Sequence, residues 1–437
     1  MMHRTFIAAC LMAVSVLHAE DRVWTLQECV SYAVAHNLTI KQYENQVKQQ
    51  EISLSTARNS RLPDLSGSAG ESFNFGRALT VDNTYANRNT QSTNFGLNTS
   101  VPLVTGGRIP ADIKIKRLNL QAALQDCDKT RESIKLNVVS AYLEAVNQKD
   151  QVEVTRQQLE LTQMQVNRMR LLFQNDKASE ADVAQIESAL AADELNLTQQ
   201  KNQYMLALLE LSQLLELESP EGFDVARPVI GPVEDALLPT PDAVYNEALG
   251  LKPQIVAEQL RLHSAEKSVL LAKSALYPSL YLSGGLGTSY YKTSGFNSNS
   301  FGSQLKDNFS QYVGVSLSVP IFNRLSTRNN IRAARIQVNS QQIQLEEAKK
   351  GLYKEIQQAY YNAVAAQRQC ASSDAALTSS QKSFDLMQRK YENGKATATD
   401  YQQAKTELAR AASNAVQSKY TFLFRQKILE FYRGTPI

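Results

Sequence analysis

Chemistry that needs a nucleophile, a metal or a phosphate cradle has little to work with in this sequence. Of the four histidines and four cysteines, His3, His18 and Cys10 fall in an N-terminal apolar segment. That leaves His36 and His263, two distant residues that make no metal cluster. Cys29, Cys127 and Cys370 are spaced 98 and 243 residues apart, which matches neither a disulfide framework nor a CxxC motif. Each reads as a small buried hydrophobe. Gly284-Gly285-Leu286-Gly287 looks like a phosphate loop, but it lies inside a strand pattern rather than between a strand and a helix. No enzyme activity, metal or cofactor is expected. Asp182 and Asp400 stand at the start of returning helices, and by residue type alone they read as N-terminal caps.

The elements that position these residues begin with an export signal. Arg4 precedes an apolar run of 13 residues, Thr5 to Leu17, which ends at His18-Ala19 before Glu20-Asp21. Residues 1–19 are therefore expected to be a signal peptide cleaved after Ala19. Ile7-Ala8-Ala9-Cys10 also resembles a lipoprotein box, but lipidation at Cys10 leaves only Thr5 to Ala9 as the apolar core, below the usual minimum of about 7 residues. With 46 Lys+Arg against 43 Asp+Glu the chain carries +3, so no polybasic surface for nucleic acid is implied. A mean hydropathy of −0.34 excludes a bundle of membrane helices.

The sequence repeats itself. Ala57 to Leu65 aligns with Ala272 to Leu280 at an offset of 215, and Phe95 to Leu103 aligns with Val313 to Ile321 at 218. The second offset then holds: Ala141-Tyr142 meets Ala359-Tyr360, and Asn175-Asp176-Lys177-Ala178-Ser179 meets Asn393-Gly394-Lys395-Ala396-Thr397. The expected organisation is a first repeat over 20–217, a connector over 218–240 and a second repeat over 241–437. Pro220, Pro228, Pro232, Pro239 and Pro241 mark the connector as extended chain that belongs to neither copy.

Within each copy the apolar period is seven. Val138, Ala145, Val152, Leu159, Val166 and Phe173 recur at that step, as do their mates Ile356, Ala363, Cys370, Leu377, Phe384 and Tyr391. Val183, Leu190, Leu197, Tyr204 and Leu211 pair in the same way with Tyr401, Leu408, Ala415, Phe422 and Leu429. A strict heptad means a coiled-coil seam. The spacing predicts long helices at about 108–173 and 326–391, each about 100 Å at 1.5 Å per residue, and returning helices at about 180–217 and 397–433. The turn position Asp176 matches Gly394, where either residue tolerates left-handed backbone.

Between the helices the period drops to two. Phe95, Leu97, Thr99, Val101 and Leu103 alternate with polar or small residues, and so do Val313, Val315, Leu317, Val319 and Ile321. Weaker alternation follows Pro63 and Pro278. Two hairpins, about 64–104 and 279–321, thus supply four strands of a length that spans a bilayer, joined by polar loops. Four strands cannot close a barrel, and an open edge in lipid leaves backbone groups unsatisfied. The chain must oligomerise; two copies supply 8 strands and three supply 12.

These residues resemble the TolC-like outer-membrane efflux proteins over essentially the whole mature chain. Trp24-Thr25-Leu26-Gln27-Glu28-Cys29-Val30, with a capping box between Thr25 and Glu28, is similar to the family's opening helix. Val101 to Arg108, Tyr277-Pro278-Ser279-Leu280 and Ser318-Val319-Pro320-Ile321-Phe322 match as well. The resemblance implies a mixed α+β membrane protein, a homotrimer whose strands share a 12-stranded β-barrel in the outer-membrane lipid above a periplasmic α-helical barrel of coiled coils. Such ducts lead substrate from an inner-membrane transporter, through a periplasmic adaptor, to the exterior. It also implies an entrance at the helix turns: Asp400 matches an aspartate that rings the closed pore, Tyr391 a tyrosine that links neighbouring coiled coils, and Asp182 its partner in the first repeat. Gln403 stands where some members carry a second aspartate and Ala396 where some carry an arginine, which implies a less charged and less tightly locked mouth. Like charges of three Asp400 carboxylates would favour cation capture or raised pKa values. Pro63, Pro102, Pro278 and Pro320 are expected at strand–helix junctions. The competing reading, a soluble periplasmic coiled-coil adaptor or scaffold, leaves two hairpins with apolar faces in water.

Overall fold

The computed structural model describes residues 22–79, 83–219, 222–228 and 238–435. The expected signal peptide with Cys10 lies outside them, as do Pro220 and Pro232 of the connector. In chain order the elements are β1 (Arg22–Trp24), α1 (Leu26–His36), α2 (Leu38–Asn59), β2 (Asp64–Asn74), β3 (Arg77–Leu79), β4 (Tyr85–Asn87), β5 (Thr90–Thr105), α3 (Arg108–Gln174) and α4 (Glu180–Leu214). They continue with β6 (Phe223–Val225), α5 (Pro241–Leu251), α6 (Pro253–Ser274), β7 (Ser279–Thr293), α7 (Phe301–Asp307), β8 (Ser310–Ser318), α8 (Ser326–Glu392) and α9 (Ala398–Tyr432). Helix lengths come in pairs: 11 residues for α1 and α5, 22 for α2 and α6, 67 for α3 and α8, and 35 for α4 and α9.

Two compact units divide the chain, one built from residues up to 41 with 130–248 and 353 onward, the other from 42–129 with 249–352. In the first unit the heptad positions are the core. Val138, Ala145, Val166, Ile356, Ala363, Cys370, Phe384 and Leu429 are all buried, whereas Phe173, the last of its series, is 45% exposed. Cys29, Val30 and Ala33 of α1 pack with Val138, Tyr142 and Val146 of α3 and with Leu208 and Leu211 of α4.

Each half opens on two helices where the sequence suggested one. Asn37 breaks the first: its Oδ1 accepts from the N–H groups of Thr39 and Ile40 (3.0 and 3.4 Å), restarting the helix as α2. In the second, Pro253 sits at the first position of α6, where its missing N–H costs nothing and its ring ends the preceding helix. The expected capping box is formed, with Thr25 N–H and Glu28 N–H each bound to the other's side chain (2.9 and 3.3 Å).

The connector does not stand apart. Phe223 to Val225 form β6, parallel to β1, and Phe223 and Val225 are buried in the helical core. Lys149 donates to Asp224 and to the Val225 carbonyl (both 2.8 Å), and Tyr142 donates to the Ala226 carbonyl (2.6 Å). α4 has already ended at Leu214, with Glu216 in the left-handed region, and Pro241 opens α5.

In the second unit, β2, β5, β7 and β8 form one antiparallel sheet in the order β2-β5-β7-β8. Register gathers like residues: Leu97 lies opposite Leu286, Val101 opposite Leu282, and Leu282 opposite Val315. The alternate positions pair Gly96 with Gly287 and Ser100 with Ser283, so one face is apolar and the other small and polar. A side chain at Gly285 would strike Tyr312 and Asn98; without one, the Tyr312 hydroxyl reaches Asn98 Oδ1 at 3.2 Å. The glycine run is thus strand, as expected. Pro63 and Pro278 directly precede β2 and β7, and Pro320 follows β8 by two residues. Pro102 departs from expectation: it lies inside β5, at a register shift between Pro102 and Val104, and the helix begins only after Gly106 and Gly107. A residue that cannot donate to the ladder is accommodated where the ladder already breaks. Parts of the polar loops are ordered, with β3 paired to β4 and α7 clamped to β7 through Gln304, which bonds both the N–H and the carbonyl of Tyr291.

Candidate functional site

The two turns that join α3 to α4 and α8 to α9 are built alike. Lys177 N–H donates to the Leu172 carbonyl and Lys395 N–H to the Lys390 carbonyl, both at 2.8 Å, closing the same reversal. The residue that must be left-handed is Asp176 in one (φ 55°) and Gly394 in the other (φ 69°), as the sequence indicated. Each turn leads into a capping box. Asp182 Oδ2 accepts from Ser179 N–H and Oγ (2.9 and 2.7 Å), and Asp400 Oδ2 accepts from Thr397 N–H and Oγ1 (3.1 and 2.7 Å). These bonds, the hydroxyl's foremost, hold both carboxyls below the ordinary aspartate range. Both side chains are exposed, so two ionised carboxylates stand at the helix starts. Capping is therefore a role that both residues fill, and it opposes the raised pKa expected for Asp400.

Around these carboxylates the two turns differ. Tyr391 stacks on the buried Tyr401 at 5.0 Å between ring centroids, and Tyr401 lies 5.5 Å from the ring of Phe384. Arg168 of α3 sits 5.5 Å over the Tyr391 ring and donates to the Glu392 carbonyl at 3.1 Å. Burial raises the Tyr391 phenol, with the Arg168 charge opposing and Asp182 adding. Arg168 therefore ties the first helical pair to the turn of the second. Gln403 is exposed and turned toward Glu407 of its own helix.

One turn further along α9 lies a group that the sequence reading missed. Lys405 is 1% exposed at its side chain and Asp193 of α4 is 7% exposed; their charged atoms meet at 2.7 Å. Thr162 of α3 bonds to both, and Gln158 Nε2 donates to the other Asp193 oxygen at 3.0 Å. Removing one partner of such a pair leaves a bare buried charge, at a cost of about 3–5 kcal/mol. A signal was available: Thr162 and Asp193 each fall three residues after a seam leucine, Leu159 and Leu190, at heptad positions that ordinarily hold apolar side chains.

Long paired helices with carboxylate-bearing turns are thus joined in one chain to a four-stranded sheet with one apolar face. The family model described as "Outer membrane efflux protein" matches residues 29–216 and 244–434, and the chain belongs to that family. It is therefore a transport protein of the outer membrane. The outer membrane protein TolC of Salmonella enteritidis is 24% identical over 370 residues, covering 82% of this chain and 73% of the relative. TolC of Escherichia coli (strain K12) is 25% identical over 377 residues, covering 82% and 74%. Among solved structures, the Campylobacter jejuni CmeC outer membrane channel superposes with a TM-score of 0.78 at 19% identity, covering 94% of this chain and 85% of that one, a likeness of fold.

Proposed function

We propose that this chain is one of three identical subunits of an exit duct in a tripartite efflux or type I secretion system, passing substrate from an inner-membrane transporter and a periplasmic adaptor to the exterior. The observation that carries the reading is the sheet. Its outermost strands, β2 and β8, each pair on one side only among the described residues, and its apolar face exposes Leu65, Val313 (83%), Val315 and Leu317. Backbone edges of this kind are tolerated in lipid only when another strand covers them. Three copies joined β8 to β2 give a closed 12-stranded barrel of ordinary bacterial size. The helices continue the same threefold duct as coiled coils in the periplasm.

Paired helix lengths support two internal repeats, 20–217 and 241–437, linked through 218–240 after a cleaved signal over 1–19. Asp182, Tyr391, Asp400 and Gln403 form the periplasmic entrance, where ionised Asp400 carboxylates from three subunits would collect cations, and Pro63, Pro278 and Pro320 mark passages between sheet and helix. The duct performs no catalysis and takes no cofactor. A soluble adaptor is disfavoured by the exposed apolar face.

The test is the mass and solubility of the purified protein. In detergent, light scattering is expected to give three chain masses, and cysteines placed on β2 and β8 to cross-link between subunits. A single chain that stays dispersed in plain buffer overturns the reading.

A further inference from the structure

We propose that Lys405, Asp193 and Thr162 form a positioning device for the entrance: a buried polar pin that sets the height and rotation of α9 against the α3–α4 pair, so that the turn carrying Asp400 and Tyr401 moves about this point. The inference rests on the entrance reading above and names the residues that govern it. Asp193 is engaged on both oxygens, by Lys405 on one and by Gln158 on the other, so the carboxylate is held from α9 and α3 at once. Lys405 stands four residues after Tyr401 and five after Asp400, one helical turn away, and α9 cannot slide or rotate there without drawing a charge off its partner.

The pin is not a general need of this architecture. At the repeat offset of 218, Lys405 corresponds to Glu187, Asp193 to Ala411 and Thr162 to Ser380. Glu187 makes a half-exposed bridge to Arg170 of its own helical partner at 2.6 Å. Lys405 instead crosses from the second half to the first. A cleft of about 540 Å³ between α3, α8 and α9 borders the cluster, with Gln158 and Lys405 in its lining beside Thr378, Gln381, Lys382 and Leu408. The polar hold on α9 at the level of Lys405 thus comes from α3 and α4, while one turn earlier Tyr401 packs on Phe384 and Tyr391 of α8.

The experiment compares matched variants of the purified protein in planar bilayers. Lys405→Met alone strands Asp193 and is expected to lower the melting temperature by roughly 10 °C. Lys405→Met with Asp193→Leu replaces the pair by apolar side chains of similar volume. This double variant is expected to melt at or above the parent temperature, yet to conduct more and to lose about tenfold in its inhibition by divalent cations. Parent-like conductance and inhibition in a stable double variant would show a purely structural pair and overturn the proposal. If the double variant does not assemble, Thr162→Val, which removes one bond and no charge, takes its place: conductance raised in the same direction supports the pin, and unchanged conductance overturns it. Asp400→Ala, measured alongside, separates the two readings. Unchanged cation inhibition in that variant removes Asp400 from the entrance, while the conductance of the double variant still reports on the pin.

Discussion

The two helix turns are the same piece of backbone put to different use. Both close with the same hydrogen bonds, both place a residue in the left-handed region and both end on a capping box. Beside the first, one ion pair stays within its own hairpin. Phe173 points largely to solvent, and Arg170 bridges to Glu187 within the same helical pair. At the second, Tyr391 stacks on Tyr401, and charges cross between the hairpins, from Arg168 of the first to the Tyr391 ring and from Lys405 of the second to Asp193. Duplicating a hairpin preserves its turn, because the turn is local. The side chains around it diverge, because one copy has come to hold the other.

Substitutions can break or sharpen this contrast. The largest effect is expected at Tyr401: Tyr401→Ala removes a buried ring and its stack at a cost of about 3 kcal/mol. Its counterpart change, Val183→Ala, should cost less than about 1 kcal/mol, because Val183 is half-exposed. Thermal melts followed by circular dichroism compare the two, and equal losses would erase the asymmetry. Next is Gly394→Ala, which forces a side chain into left-handed backbone and should cost about 1 kcal/mol, with Gly394→Asp costing less because Asp176 occupies the same conformation in the sister turn.

The smallest effect concerns acid. Both capping carboxyls titrate below the ordinary value of 3.8, so the stability they contribute is complete above that pH and is lost as pH falls through their lower folded values. Protection against hydrogen exchange at the first amides of α4 and α9, taken relative to the intrinsic rate at each pH, should therefore stay constant from neutral pH down to that point and then fall in step. A turn that frays earlier than its sister would show that its surroundings, rather than its cap, set its stability.

Much of this was legible in the sequence, and the reason lies in range. The heptads placed the long helices, because a seam repeats every seven residues regardless of what it meets. Thr25 with Glu28 and the Asp176 and Gly394 turns were readable for the same cause, each being complete within a few residues. The Lys405–Asp193 pair spans 212 residues and the β1–β6 bridge about 200, and no local spacing marks such partners. The break at Asn37 leaves no mark in the spacing of apolar residues, and only its side-chain bonds to Thr39 and Ile40 show that one helix has ended and another begun. Pro102 is misleading because a proline fits a β-bulge as well as a strand boundary, and the residue type does not distinguish them.

The bare rims of β2 and β8 also govern the life of the chain before it reaches its place. A lone copy carries two ready templates for stray pairing and a greasy panel between them. In the proposed assembly each rim finds its match on another copy, so the rate at which copies meet in the right register decides between a closed barrel and an aggregate.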